Sequence, residues 1–302
     1  MVRSLLKSWP SLEFQLQLEQ QLFGANSNLL RDWFEVQLSW INDAQFARQF
    51  SDNISLPNIV PSDYNHRHVR TRFGSLLAGV RFFGRDVTRP FVEITAHSFT
   101  DMERLGTVVD DEWRAFAPPF MRLAVSKGTL PTVSSFLDVT IHAARFCEMS
   151  DPATSVKLVP VANLNDALEM VQKRYKVLRD KRHELALNTS PASMEDLKDC
   201  ADASKLFWIK NDDTAAVGLF ATQPGQIDWI EGDVVYEEVT QAKFSGQGFA
   251  VSAQGRYAKA RLETEPDRFL IGTIDRHNHT SRKSAVRAGR PEVMRKVFVP
   301  LG

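Results

Sequence analysis

The chain of 302 residues carries 37 Lys and Arg against 37 Asp and Glu, and 43% of its residues are hydrophobic. This length predicts one large or two ordinary domains, and the zero net charge excludes nucleic acid or a membrane surface as a partner attracted by bulk charge. The 2 cysteines exclude a disulfide framework and predict free thiols in a reducing compartment. The N-terminus lacks a signal peptide's apolar core and no stretch is long enough to span a bilayer, so we expect a cytoplasmic protein without a membrane partner.

The first part of the chain, residues 1–150, predicts an α/β domain. Apolar spacing after Ser27, a residue suited to cap a helix, predicts an amphipathic helix, and Pro57 and Pro61 mark the loop that follows. Five further elements are predicted in the order strand, strand, helix, strand and helix. Their predicted bounds are 75–83, 90–95, 101–117, 120–125 and 132–149.

A short polar stretch with a proline, 151–155, predicts the domain boundary, so the second domain covers 151–302. Its pattern predicts a strand, two helices, three antiparallel strands, a helix, a strand, a short helix and a final strand. Ser193 is suited to cap the second of these helices. The predicted bounds, leaving aside the short helix, are 156–161, 165–187, 193–203, 205–210, 215–222, 226–239, 247–262, 268–274 and 293–299.

A glycine-rich turn, residues 244–250, lies between a predicted strand and a predicted helix. Gly246 and Gly248 allow the backbone to approach a ligand closely, and the free N–H groups at the start of a helix favour an anion. The turn therefore predicts a phosphate site. A dinucleotide site of the G-x-G-x-x-G type is less favoured, because the third glycine is absent.

The sequences SGQGFA (245–250) and GTIDRHNHTSRKSAVRAGR (272–290) together resemble the GNAT superfamily of acyl-CoA-dependent N-acetyltransferases. In that family an R/Q-x-x-G-x-G/A loop binds the coenzyme A pyrophosphate, and a later Asn with the helix after it flanks the pantetheine arm. Three positions depart from the pattern. Ser245 stands in place of Arg or Gln, Ala285 in place of the Tyr that protonates the thiolate, and Arg290 in place of an aromatic residue.

The resemblance implies an α/β (α+β) fold with a GNAT-like mixed, mostly antiparallel sheet flanked by helices over 151–302. The domain at 1–150 has a similar element order, which leaves two interpretations open. It is either a degenerate GNAT-like copy that has lost its glycine loop or an unrelated α/β domain. In either case we expect it to shape the acceptor site or to form a homodimer interface.

The resemblance also implies which residues contact coenzyme A. The N–H groups from about Ser245 to Ala250 would bind the diphosphate, and the Asn278 amide would bind the pantetheine or order its loop. The alternative for residues 245–250 is an ordinary tight turn without a ligand. The alternative for Asn278 is a residue that only begins the next helix. The predicted coenzyme contacts are Thr240, Phe244, Ser245, Gly246, Gln247, Gly248, Phe249, Ala250, Asn278, Ser281 and Arg282.

Amide formation from a thioester needs a base for the amine and an acid for the thiolate. Glu237 and Glu238 are the candidate bases, and they point to opposite faces of a regular strand. Glu238 is preferred, because Tyr236, Glu238 and Thr240 would then share one polar face; the alternative is an exposed strand carboxylate. Ser281 or Ser284 is the candidate proton relay where the family Tyr is missing, and the alternative is a helix-surface serine.

The predicted function is an N-acyltransferase that moves an acetyl or other acyl group from acyl-CoA to an amine by direct attack in a ternary complex. No cysteine lies near the motif to carry the acyl group. The acceptor is a small amine, an amino acid or a protein terminus. Two alternatives remain: a tandem-GNAT transferase with another acyl or aminoacyl donor, and a non-catalytic CoA-binding sensor or interaction protein.

Other partner classes are disfavoured by the remaining motifs. The H-x-H pairs at 66–68 and 277–279 lack a third ligand at a recognisable spacing, so no metal is expected. The basic cluster at 276–290 has no interleaved aromatic residues, which disfavours nucleic acid and leaves the coenzyme's 3′-phosphate, an anionic acceptor or solvent as its partner. Neither a G-x-S-x-G elbow nor a Walker loop is present.

Overall fold

A computed structural model describes residues 6–213 and 216–302 of the chain. The chain divides into two compact units: unit 1 comprises the residues up to Asp138 together with Met294–Gly302, and unit 2 comprises Val139–Val293. The predicted domains, 1–150 and 151–302, differ from these units over 139–150 and 294–302. The start of the predicted strand 215–222 and the first residues of the predicted N-terminal segment lie outside the described residues.

Nine α-helices and eleven β-strands are labelled here in chain order within the described residues. The helices are α1 (Glu13–Phe23), α2 (Leu29–Ser39), α3 (Ala44–Ser51), α4 (Met102–Glu112), α5 (Leu164–Lys181), α6 (His183–Asn188), α7 (Met194–Asp202), α8 (Phe249–Lys259) and α9 (His279–Arg287). The strands are β1 (Arg67–Thr71), β2 (Gly74–Phe82), β3 (Pro90–His97), β4 (Phe120–Ser126), β5 (Phe136–Arg145), β6 (Lys157–Pro160), β7 (Leu206–Lys210), β8 (Ala216–Ile227), β9 (Ile230–Thr240), β10 (Phe269–Asp275) and β11 (Glu292–Pro300).

In unit 1 the strand order is β1-β2-β3-β4-β11. β3 and β4 run parallel with α4 between them, and the other neighbours are antiparallel. The core packs α4 and the sheet around Leu105, Val109 and Trp113, which are fully buried. The helix predicted after Ser27 exists, but Asn28 rather than Ser27 holds its N-cap position. That unit 1 is a degenerate copy of a GNAT domain stays a prediction.

The helix predicted over 132–149 is wrong, because residues 136–145 form β5. Its apolar positions Phe136, Val139 and Ala143 match a helical stripe, but the strand is buried along both faces and pairs antiparallel with β10. A strand buried on both sides loses the simple alternation that identifies a half-exposed strand. Polar residues such as Asp138 and His142 are also buried in it, which further hides the strand pattern.

In unit 2 the strand order is β5-β10-β9-β8-β7-β6. β9 and β10 are parallel and the other neighbours are antiparallel. The predicted element order from β6 onward and the mixed, mostly antiparallel sheet flanked by helices are confirmed. The helix predicted over 165–187 is interrupted, since α5 ends at Lys181 and α6 begins at His183.

The two faces of the unit 2 sheet are covered by different helices. α5 and α7 bury Ala167, Val171 and Leu197 on the face that also carries Val239. α8 buries Ala253 and Tyr257 on the other face. The helices thus give the strands of unit 2 two distinct environments, and successive residues of β9 reach one or the other.

β9 is bulged and only partly paired with β10. Glu237 pairs with Ala221 and Val235 with Thr222, so Tyr236 is an extra residue without an opposite partner on β8. On its other side, β9 pairs with β10 only through Asp233 and Val234. A bulge changes the direction of the side chains beside it, and it commonly lies at a functional site. The end of the β9–β10 pair where the two strands part is therefore a candidate position for a functional site.

Candidate functional site

A cavity of about 500 Å³ lies in unit 2, where β9 and β10 part. Its walls are residues 235–240 of β9, residues 272–275 of β10, the start of α8, the α9 segment and one side of α5. Its volume is within the range of small-molecule sites in proteins. Most of the residues predicted to contact coenzyme A, and both candidate bases, therefore line one cavity.

The start of α8 offers free backbone donors to this cavity. Gly248, at the N-cap position, has φ +85°, and Gly246 has φ +82°, conformations that glycine adopts without strain. No side chain caps the helix, and its first turn holds no acidic residue. The N–H groups at the start of an α-helix have no partner within the helix, so this terminus is suited to bind an anion.

The corresponding end of α4 in unit 1 is closed by a side chain. Asp101 occupies the N-cap position, and its carboxylate accepts hydrogen bonds from the N–H groups of Glu103 (2.9 Å) and Arg104 (3.2 Å). A second negative charge at this terminus would be repelled by Asp101. The two helix termini therefore have opposite preferences for a phosphate.

Most of the predicted coenzyme contacts line the cavity, but Gln247 and Arg282 do not. Gln247 donates its side-chain amide to the Lys243 carbonyl (3.1 Å), and Arg282 donates Nη2 to the Arg276 carbonyl (2.8 Å). The predicted contacts that line the cavity are Thr240, Phe244, Ser245, Gly246, Gly248, Phe249, Ala250, Asn278 and Ser281.

Asn278 begins the helix after β10 and also lies in the cavity wall. Its Oδ1 accepts a hydrogen bond from the Ser281 N–H (3.2 Å), so Asn278 caps α9. Asn278 also lines the cavity, as do Ser281 and Ser284. Ala285, where the resembled motif has a tyrosine, is fully buried. The segment thus brings hydroxyl groups, but no tyrosine, to this wall.

Glu237 faces the α5 and α7 side of the sheet. Its side chain is 7% exposed, and its Oε2 accepts a hydrogen bond from the Ala192 N–H (3.1 Å). Burial raises the pKa of Glu237 to about 7, although the Ala192 hydrogen bond and the Tyr175 hydroxyl oppose the shift. A carboxyl group with this pKa exchanges a proton readily at neutral pH.

Glu238 faces the opposite side of the sheet. Its two carboxylate oxygens accept hydrogen bonds from Gln254 Nε2 on α8, at 2.9 and 3.1 Å. Burial raises the pKa of Glu238, while the Gln254 hydrogen bond and the charge of Arg290 oppose that rise. The two adjacent glutamates therefore line the cavity from opposite sides of the sheet.

The predicted shared face of Tyr236, Glu238 and Thr240 is wrong for Tyr236. The Tyr236 hydroxyl donates to Asp196 Oδ1 on α7 (2.6 Å), on the side of the sheet that Glu237 also faces. The bulge at Tyr236 breaks the alternation on which the prediction depended. A bulge of this kind leaves no mark in a single sequence.

A third carboxylate in the cavity, Asp275, is already engaged. Its Oδ1 accepts the His277 N–H (2.7 Å) and its Oδ2 accepts the Asn188 side-chain amide (3.0 Å). Asp275 therefore holds the loop after β10 in place and is a poorer base candidate than the two glutamates.

Tyr175 and Arg290 line the cavity, and Gln254 contacts the cavity residue Glu238; the sequence assigned no role to Tyr175 or Gln254 and placed Arg290 in the basic cluster at 276–290. Tyr175 lines the cavity beside Glu237, and burial raises its pKa above the ordinary value. Arg290 lines the cavity and is 2% exposed; burial lowers its pKa to about 10, and the nearby Glu238 opposes this. Arg290 alone carried a signal, as the residue that replaces the aromatic of the resembled motif.

Comparisons with known proteins identify the fold. No family model and no curated protein matches the chain. Among solved structures, a GNAT-family acetyltransferase from Colwellia psychrerythraea covers 90% of this chain and 97% of its own, with 9% identity and a TM-score of 0.52. A GCN5-related N-acetyltransferase from Sphaerobacter thermophilus covers 87% and 91%, with 12% identity and a TM-score of 0.51. The chain has the GNAT fold, which confirms the resemblance of residues 245–250 and 272–290 at the level of fold.

The described part of the chain holds neither a metal cluster nor a membrane-spanning helix. No group of three or more His, Cys, Asp or Glu side chains there is arranged to hold a metal ion. Among the described helices, none combines the length and the hydropathy needed to cross a bilayer.

Proposed function

We propose that the protein is an acyl-CoA-dependent N-acyltransferase with its active site in the unit 2 cavity. One observation carries the proposal: the uncapped start of α8 opens into the same cavity as the buried carboxyl group of Glu237. The first feature suits the diphosphate of a coenzyme, and the second suits proton transfer from an amine. The GNAT fold is consistent with both.

Coenzyme A fits the residues at the start of α8. The N–H groups around Gly246, Gly248 and Ala250 would hold its diphosphate, because the turn bears no carboxylate and its glycines leave the backbone open. Thr240 and Asn278 would flank the pantetheine arm where β9 and β10 part. When bound, acetyl-CoA would supply a thioester as the acyl donor.

We propose Glu237 as the base that accepts the proton of the amine. It lies toward α5 and α7, beside Tyr175, whereas Glu238 lies toward α8, the helix proposed to hold the coenzyme. The environment of Glu237 holds its pKa near neutrality, where a base is effective. The sequence-based choice of Glu238 stays a prediction, and the pH profiles of Glu237→Gln and Glu238→Gln distinguish the two candidate bases.

The hydroxyl groups of Ser281, Ser284 and Tyr175 are the candidates for returning a proton to the departing thiolate. All three residues line the cavity. The C–N bond forms as the C–S bond breaks, one proton passes from the amine to Glu237, and one is delivered to sulfur. Direct attack is favoured over an acyl-cysteine, because Cys200 is buried away from the cavity lining and Cys147 does not line it.

A second function, coenzyme A binding without turnover, is favoured by one observation. Ala285, at the position of the family's proton-donating tyrosine, is fully buried and cannot transfer a proton. The cavity would then bind the coenzyme as a signal rather than as a substrate.

Release of free thiol from acetyl-CoA, measured with a panel of small amines, amino acids and peptides, tests the proposed function. We expect thiol release with at least one amine and its loss in Glu237→Gln. Thermal stabilisation by free coenzyme A is measured in parallel. Stabilisation without thiol release across the panel supports the binding function, and no stabilisation by millimolar coenzyme contradicts both.

A further inference from the structure

A buried polar cluster of Glu238, Gln254 and Arg290 lies on the α8 side of the unit 2 sheet, and Glu238 and Arg290 line the cavity. Arg290 is 2% exposed, and its Nε and Nη1 atoms have no hydrogen-bond partner. Gln254 is fully buried, and its Oε1 atom also has no partner. Buried polar groups are nearly always hydrogen-bonded, so unpaired donors and acceptors beside a cavity are suited to a polar ligand.

Glu238 does not satisfy Arg290 directly. Both Glu238 oxygens accept hydrogen bonds from Gln254 Nε2, and no ion pair joins Glu238 to Arg290 among the described residues. The two charges interact only over a longer distance. The guanidinium group thus keeps donor positions for another acceptor, and a carboxylate matches the planar geometry of a guanidinium.

Gly272 makes room for this arrangement in β10. A Cβ atom at position 272 would lie 2.6 Å from Arg290 Nη1, so any side chain there would displace the guanidinium. Gly272 and Arg290 both line the cavity at the point where β10 leaves β9. The Arg290 head group is therefore seated next to the opening of the sheet, on the same side as the helix proposed to hold the coenzyme.

A pocket for an acetyl or longer alkyl acyl group should be apolar. An alkyl group would shield a charged side chain from water without forming a hydrogen bond to it. The side chains of Glu238 and Arg290 make this wall polar instead, and Gln254 contacts Glu238 from α8. An alkyl acyl group would leave Arg290 unpaired, while an acyl group ending in a carboxylate would supply the acceptor that Arg290 lacks.

We propose that the acyl donor of this protein is the coenzyme A thioester of a dicarboxylic acid, with Arg290 binding the free carboxylate of the acyl group. The inference rests on the proposed function and names its donor class. Transfer remains an ordinary acyl transfer: the C–N bond forms, the C–S bond breaks, the amine loses one proton and the thiolate gains one. The free carboxylate takes no part in the bond changes.

Charge balance gives Glu238 a part in this recognition. A bound carboxylate adds a second negative charge beside Glu238, and burial already disposes Glu238 to hold a proton. We therefore expect Glu238 to take up a proton as the acyl carboxylate becomes the counter-ion of Arg290. Titrations in two buffers should then detect proton uptake with the dicarboxylic thioester and none with the alkyl thioester of equal length.

The test compares donors of equal chain length on the full-length protein. Succinyl-CoA is compared with butyryl-CoA, and malonyl-CoA with propionyl-CoA, by calorimetric titration in two buffers of different ionisation enthalpy. We expect at least one carboxylate-ended donor to bind about tenfold or more tightly than its methyl-ended partner, as expected for a charge-assisted hydrogen bond. Arg290→Met should abolish this preference.

Arg256→Met is the matched control, because it removes the same charge from an exposed position of α8 outside the cavity lining. It should keep the wild-type preference. Equal binding within both wild-type donor pairs overturns the inference even if Arg290→Met does not fold. Free coenzyme A is titrated alongside. If free coenzyme A binds but neither donor pair shows a preference for the carboxylate-ended member, only the inference is contradicted. If free coenzyme A does not bind, the proposed function is contradicted as well.

Discussion

At the residue scale, two adjacent glutamates are separated by the side of the sheet that each faces. Glu237 contacts the segment before α7, and Glu238 contacts α8. Their neighbours could not be read from the sequence, since Tyr175 and Gln254 come close only when α5 and α8 pack on opposite sides of β9. From the sequence we could predict that only one of the two glutamates faces a given side of the sheet. The bulge at Tyr236 changed which residues of β9 share a side with Glu238.

The first prediction concerns the base. Because Glu237 must be ionised to accept a proton and burial raises its pKa to about 7, kcat/KM for wild type should rise with pH through about 7 and then level off. Glu237→Gln should lower kcat/KM by about 10²–10⁴-fold. The measurement is a pH profile with the amine that gives thiol release.

Glu238→Gln is the matched control for this prediction. In this variant kcat/KM should still rise with pH through about 7, because Glu237 remains in place. Loss of this rise in Glu238→Gln and its retention in Glu237→Gln would instead support the sequence-based assignment of Glu238.

A second prediction at this scale concerns Asp233, a fully buried carboxylate of unit 2. Its Oδ2 accepts from Lys205 Nζ (2.6 Å) and the Tyr257 hydroxyl (2.5 Å), and its Oδ1 accepts from Arg268 Nε (2.7 Å). Burial alone would raise the pKa of Asp233, but these three donors hold it below its ordinary value. The carboxylate is thus ionised and neutralises two cations.

Asp233→Asn should lower the free energy of unfolding by about 3 kcal/mol or more, because two partly buried cations lose their counter-ion. The shift of the urea midpoint measures this effect. The exposed Asp267→Asn is the control and should leave the midpoint nearly unchanged. Similar midpoints for the two variants would contradict a structural role for the Asp233 network.

At the element scale, the starts of α7 and α8 could be predicted from the sequence, whereas β5 could not. The glycines at 246 and 248 mark where α8 begins, and the Ser193 capping box marks α7, so local chemistry specifies these boundaries. β5 has no such local signal. Its pairing with β10, more than a hundred residues later in the chain, determines its structure.

The start of α8 carries the third prediction. Gly248→Asp places a carboxylate where the diphosphate would bind, as Asp101 does at the start of α4. It should weaken coenzyme A binding by about tenfold or more, through charge repulsion in a partly enclosed site. Calorimetric titration with coenzyme A measures the change.

Gly248→Asn is the matched control, since Asn has the same shape and meets the same strain at φ +85° without the charge. It should weaken binding much less than Gly248→Asp. Equal losses in the two variants would show that backbone strain, rather than an anion site, explains the effect.

At the scale of the whole molecule, two units share one fold-level feature and differ in its chemistry. Each contains a parallel strand pair joined through a helix, β3–α4–β4 in unit 1 and β9–α8–β10 in unit 2. Only the helix of unit 2 begins without a capping side chain. We therefore expect one coenzyme site per chain, within unit 2.

The central claim is that the open start of α8 and the cavity beside it bind coenzyme A. A calorimetric titration of the full-length protein with free coenzyme A tests this claim without knowledge of the acceptor or the acyl group. We expect saturable binding with one site per chain, and weaker binding in Gly248→Asp. Absence of binding at millimolar coenzyme A, or full binding that Gly248→Asp leaves unchanged, would contradict it.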